Sequence, residues 1–189
     1  MGSEEAPVTA LVRRIHAAPT RACLVVAGAG ARALAWVLAV PGASRTVLDA
    51  QVPYSTAALD RYVGARAKQH VSAVEALAMA DAAFRRAREL AGQGGTPVAG
   101  VSCTAAVATD RRKRGDHRAH VAWRSDERAR CLSVVLTKGA RDRDGEEEVV
   151  SRLVLRALAE ACGIDADLDL PLLPGECVEV TDRPPDERA

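Results

Sequence analysis

Six consecutive apolar residues, Ala22 to Ala27, run straight into Gly28-Ala29-Gly30 and then into a stretch of helix formers. A strand with one wet face alternates apolar and polar residues, whereas an unbroken run suits a strand covered on both faces. Such strands belong to parallel sheets with helices on either side. The glycines that follow suit a tight strand-to-helix turn. This unit alone directs the chain toward an α/β domain.

The flanking segments extend that reading. Val8 to Ala18 forms a helix stopped by Pro19, with Leu11, Val12 and Ile15 on one face. The helix after Gly30 reaches about Val40 and ends at Pro41-Gly42. Val47 to Val52 is a second strand, and Ser55 caps a short helix ending near Gly64. Ser72-Ala73-Val74-Glu75 is a capping box that opens a long alanine-rich helix to about Ala91. Strands follow at Val98 to Thr104, Arg118 to Arg124 and Leu132 to Lys138. A last helix begins near Gly145, with Glu146, Glu147 and Glu148 where the helix dipole favours anions. Its core face is Val150, Leu153, Val154, Ala157, Leu158 and Ala161. The expectation is a three-layer α/β sandwich whose mixed, mostly parallel sheet is flanked by helices. Residues 1–162 form that domain, and 163–189 read as a tail or linker rich in Pro and Asp, in which Leu170 to Leu173 and Cys177 to Val180 can pack as extended pieces and the end is loose from Asp182 onward.

Composition narrows the function classes. At 189 residues and 48% hydrophobic content the chain can build one sizeable core, and with 3% aromatics it must build it from Ala, Val and Leu. A net charge of +1 argues against a dedicated nucleic-acid binder. The cysteines Cys23, Cys103, Cys131, Cys162 and Cys177 form no CxxC pair, which fits reduced thiols in a cytoplasmic protein. No transmembrane-length run is present, so neither a membrane nor a nucleic acid is an expected partner.

The Gly28-Ala29-Gly30 turn supports three readings. Backbone N–H groups at a helix start can hold a phosphate without any charged side chain. Gly28-Ala29-Gly30-Ala31-Arg32-Ala33 also fits a dinucleotide fingerprint, with Asp49 near the end of the next strand. Close strand-to-helix packing alone would ask for the same small residues.

Val40-Pro41-Gly42-Ala43-Ser44, Val52-Pro53-Tyr54-Ser55 and the Cys103-Thr104 turn, in this order and spacing, resemble the CinA C-terminal domain, the family of nicotinamide-nucleotide amidohydrolases. The resemblance extends over roughly residues 8 to 162. It implies hydrolysis of the carboxamide of nicotinamide mononucleotide by a serine that a lysine activates, with no cofactor. Amide hydrolysis needs such a base-assisted nucleophile and donors for the oxyanion. By this resemblance Ser44 and Tyr54 are the catalytic candidates. Gly28, Gly30, Thr104 and Arg143, or Arg141, would hold the nucleotide.

The departures are as informative. Where the family carries Glu-Ser-Cys-Thr-Gly-Gly, this chain has Val26-Ala27-Gly28-Ala29-Gly30-Ala31. Ala27 therefore stands at the family's other pocket serine. The lysine position, five residues after Tyr54, is Leu59. Losing one member of a serine–base pair costs orders of magnitude in rate. The expectation is a catalytically degraded nucleotide-binding or interaction module, with an amidohydrolase using Ser44 as the alternative. Each retained residue also has a plain role: Ser44 as a turn cap, Tyr54 as a half-buried packing aromatic, Thr104 satisfying a strand-end backbone group.

Between the third and fourth expected strands lies a basic loop, Asp110 to His117. Its Lys113-Arg114-Gly115-Asp116-His117-Arg118 resembles a plant and algal subgroup in which a CinA-like domain precedes a cytidylyltransferase-like domain. The loop is either a patch for a phosphate-bearing ligand or a solvated hairpin. His117 and His120 share His-x-x-His spacing, but along a strand they point to opposite faces, so no metal site is expected. A homodimer could form through the alanine-rich helix of residues 71–91.

Overall fold

Both faces of the first strand are covered, and its side chains divide between two apolar layers. The computed structural model describes residues 6–92, 94–110 and 114–183. Strand β1 (Arg21–Ala27) sends Ala22, Leu24 and Val26 into one hydrophobic cluster and Cys23, Val25 and Ala27 into another. The first cluster is roofed by helices α1 (Pro7–Ala17), α2 (Ala31–Ala39) and α6 (Arg143–Ala161). The second lies under α4 (Thr56–Val63) and α5 (Ala73–Ala91). The three-layer α/β architecture is thus as the apolar pattern dictates.

The sheet has six strands in the order β2-β1-β3-β4-β5-β6. Strands β2 (Val47–Gln51) and β3 (Val98–Ala106) flank β1 in parallel. Strands β4 (His117–Arg124), β5 (Ala129–Leu136) and β6 (Val178–Arg183) then add as an antiparallel meander. Four strands share one direction, yet only two of the five neighbouring pairings are parallel, so the parallel character is confined to the β2-β1-β3 half.

Helix α5 crosses β3 closely. A Cβ on Gly100 would meet the Phe84 amide nitrogen at 2.2 Å, and the Ser102 hydroxyl donates to the Ala76 carbonyl at 2.6 Å. The alanines of α5 therefore serve its own sheet: Ala76, Ala80, Ala83 and Ala87 are all fully buried. Its outer face carries Arg85, Arg86, Arg88 and Glu89, with Val74 and Leu90 also exposed.

A four-residue helix absent from the sequence reading, α3 (Ala43–Thr46), links α2 to β2. It is held by buried His16, whose ring bonds the Thr46 hydroxyl at 2.8 Å and the Val37 carbonyl at 3.0 Å.

The segment after α6 is part of the fold. Leu168 is buried in the α1/α2/α6 cluster, and Ile164, Ala166, Leu170 and Leu172 pack against it. These residues alternate with Asp165, Asp167, Asp169 and Pro171, the period of an extended chain with one face inward. The chain then returns as β6, where Arg130 pairs with Asp182 at 2.7 Å and Arg183 with Asp81 at 2.6 Å. The extended pieces expected at Leu170 to Leu173 and Cys177 to Val180 thus pack on the domain, Val178 against the core and the rest of the edge strand through ion pairs.

Leu168→Ala is accordingly expected to lower the unfolding free energy by about 2–3 kcal/mol, the cost of a core truncation. Urea denaturation measures it, and a change near zero would return residues 163–173 to the status of a linker.

Candidate functional site

Because β1, β2 and β3 run in one direction, their following loops meet at a common carboxyl edge, where ligands of open α/β sheets bind. The first loop is constrained sterically. Gly28 has φ +84°, and a Cβ there would lie 1.9 Å from the Ala105 carbonyl oxygen. Gly30, at φ +94°, caps α2 without any side chain of its own to meet the helix's free amides.

A carboxylate from α6 meets them. The Gly30 N–H donates to both oxygens of Glu147, at 3.0 and 3.1 Å, and the Arg32 N–H donates to Oε1 at 3.0 Å. The Ser151 hydroxyl donates to the same oxygen at 3.0 Å. Arg32 pairs with Glu148 at 2.8 Å and with Asp144. The anion at the expected phosphate cradle of Gly28 and Gly30 is therefore the chain's own Glu147. A ligand phosphate would have to displace it.

Arg143 opens α6 and reaches across the loops, donating to the Gly28 carbonyl at 2.7 Å and the Ala108 carbonyl at 3.2 Å. With Ala31, Arg32, Asp142, Asp144 and Glu147 it lines a cleft of about 550 Å³. Arg141 takes a different course from the one expected. It forms a two-point pair with Glu176, each contact 2.8 Å, and its Nη2 also donates to the Pro171 carbonyl. It clamps the C-terminal segment rather than lining the cleft, and it holds the Glu176 carboxyl down at about 2.

The remaining expected residues separate. The buried Thr104 hydroxyl donates to the His70 carbonyl at 2.6 Å, the plain strand-end role. Tyr54 is 69% exposed, where a half-buried aromatic was expected. Ser44 is exposed on α3, next to the start of β2, which pairs with β1 at Ala22. Tyr54 follows the other end of β2, where Gln51 pairs with Val25. Ser44 thus lies at the amino edge of the sheet, a strand length of roughly 15 Å from the loops that carry Tyr54 and Gly28. The structure does not bring Ser44 and Tyr54 together. Ala27 and Leu59 do come together, buried at 6% and 4% exposure in the cluster with Val25, Met79 and Phe84.

Beside that cluster is a polar group that the sequence reading missed. His70 Nε2 pairs with Asp60 Oδ1 at 2.8 Å, and the Ala67 N–H donates to the same oxygen at 3.2 Å. The His70 hydrogen bond holds the Asp60 carboxyl below its ordinary range. Glu75 is 6% exposed, its Oε1 has no partner, and burial raises its carboxyl. An oriented histidine beside a protonation-prone acid can move protons, but Thr104 turns its hydroxyl to the His70 backbone, not its ring. The available signal was Asp60 itself, one residue beyond the family's lysine position.

Of the basic loop, residues 111–113 lie outside the described residues. His117 is buried and pairs through Nδ1 with Glu146 at 2.7 Å, while His120 bonds Ser133 at 2.8 Å. The two rings serve opposite faces of β4, as the strand period requires. Glu146 is fully buried and also accepts from the Ala108 N–H at 2.7 Å, tying the β3–β4 connection to α6. No helix among the described residues is long and apolar enough to cross a membrane.

No protein-family model matches the chain, and no curated protein matches it. Solved structures do. The competence/damage-inducible protein CihA from Agrobacterium tumefaciens superposes with a TM-score of 0.63 at 18% identity, over 86% of this chain and 98% of that one. A CinA superfamily protein from Enterobacter cloacae gives 0.63 at 16%, over 86% and 95%. Another, from Escherichia coli, gives 0.59 at 17%, over 84% and 92%. The chain therefore has the fold of the CinA superfamily proteins, a mixed six-stranded sheet between helical layers.

Two outcomes follow from the ion pairs. Glu146→Ala strands the His117 ring and the Ala108 amide and should cost about 3–5 kcal/mol in urea unfolding. Glu176 has a folded pKa below its ordinary 4.5, so its pairing stabilises fully above that value and is lost as pH falls toward about 2. Acid titration of wild type and Glu176→Gln should show the two stability curves converging across that window.

Proposed function

We propose that this chain is a CinA-like domain that has lost the family's nicotinamide-nucleotide deamidation and acts as a small-ligand-binding or interaction module. The observation that carries this reading is the packing of Ala27 and Leu59 into one closed apolar cluster. Those are the positions where the family it resembles carries a pocket serine and a lysine. An alanine and a leucine can neither attack an amide nor relay a proton. The separation of Ser44 from Tyr54 by a strand length supports the same conclusion.

A nucleotide such as nicotinamide mononucleotide remains the proposed ligand class, with Arg143 and Arg32 as its cations. Its phosphate competes with Glu147 for the amides of Gly30 and Arg32, so affinity should be modest. The reading calls for no cofactor and a cytoplasmic setting. Any homodimer must use a surface other than the buried alanines of α5. Within the family, the Lys113-to-Arg118 stretch supports kinship with the plant and algal subgroup that carries a nucleotidyltransferase domain.

Purified protein incubated with nicotinamide mononucleotide is expected to release no ammonia above the buffer blank, while its melting temperature rises with the nucleotide. Ammonia release that vanishes in Ser44→Ala would overturn the reading in favour of an active amidohydrolase.

A further inference from the structure

A second concavity lies at the outer edge of the sheet, apart from the cleft at Arg143. Gln51, Val52, Pro53, Ala58, Arg61 and Tyr62 enclose about 410 Å³ between the end of β2 and one face of α4. That volume falls within the roughly 300–1,000 Å³ of small-ligand sites. Its walls are apolar: Val52 stays 50% exposed although it is a large aliphatic, and the Tyr62 ring is fixed by packing against the Leu59 cluster. The nearest aromatic along the loop, Tyr54, is 69% exposed. Its floor is polar and already ordered. Gln51 Nε2 donates to Asp49 at 2.7 Å, and Asp49 is in turn matched by Arg86.

Arg61 is exposed and has no carboxylate partner among the described residues, unlike Arg86 nearby, which pairs with Asp49. An unmatched guanidinium at the rim of an apolar slot offers a planar, two-point contact for a carboxylate. The aromatic wall offers a stacking surface for a flat ring. We propose that this cleft binds a small planar aromatic carboxylate, its ring lying along Tyr62 and the Val52-Pro53 wall and its carboxylate on Arg61. A neutral ring would leave the cation unused, and a bare phosphate would leave the apolar walls unused. The assignment is independent of the fate of the family's deamidation.

Benzoate is a suitable probe, with benzamide as its neutral counterpart, in an amide-resolved NMR titration of the full chain. Saturable shifts are expected at Gln51, Val52, Arg61 and Tyr62. Benzamide, and benzoate on Arg61→Gln, should bind at least about tenfold more weakly. Val52→Asp should abolish the response through repulsion of the carboxylate. The proposal is overturned by an absent or non-saturable response, by equal affinity for benzoate and benzamide, or by shifts centred on Arg32 and Arg143 that survive Arg61→Gln. Failure here leaves the nucleotide experiment untouched, and failure there leaves this one untouched.

Discussion

The first two turns of α6 hold the carboxyl edge together, and they do so with three consecutive carboxylates aimed at three targets. Glu146, fully buried, takes the His117 ring and the Ala108 amide. Glu147 takes the open amides of α2, and Glu148 takes Arg32 and Arg152. A fully buried carboxylate is stable only when its oxygens are matched by donors. Each target is therefore fixed by the need of the acid as much as by its own. Arg143 adds the reciprocal contact, a cation on the carbonyls of Gly28 and Ala108. Helix α2, Ala108 and α6 are thereby tied to one another.

That arrangement decides the electrostatics of the edge. A bare Gly-x-Gly turn at a helix start is a positive site waiting for an anion. Here the anion is built in, and the cleft beside it carries Asp142, Asp144 and Glu147 against Arg32 and Arg143. The geometry of a phosphate cradle is kept while its charge is already neutralised. The same backbone that would recognise a ligand's phosphate is here a structural joint between α2 and α6.

How much of this was legible depended on the range of the interaction. Caps were readable because they are local: Ser55 and Ser72 accept from Ala58 and Glu75, as the sequence pattern requires. Strands covered on both faces were readable from β1 because burial on both sides leaves no polar position. The contacts of Glu147 with Gly30 and of Glu146 with His117 span 117 and 29 residues and leave no periodic trace. The Ile164-to-Leu172 alternation was present in the chain, but Asp at every second position resembled a solvated linker. Its dry face was legible at Leu170 and Leu172 but not at Ile164, Ala166 and Leu168. Ser44 and Tyr54 lie apart for a topological reason. A motif between a helix and the strand that follows it lies at the amino edge, however close in sequence it stands to residues of the other edge.

The packing of Ala27 and Leu59 follows the same logic. A lysine at 59 and a serine at 27 would each need a partner inside the layer between β1, α4 and α5. Alanine and leucine need none, and burying the leucine contributes about 2 kcal/mol of transfer free energy. A polar pair lies one residue along α4, where the helical turn carries Asp60 away from the cluster and onto His70. Catalytic walls are commonly less stable than the apolar packing that could replace them. This chain has the apolar packing at residues 27 and 59, so the inner layer here contributes to stability, while charge is confined to the rim at Arg32, Arg143, Asp144 and Glu147.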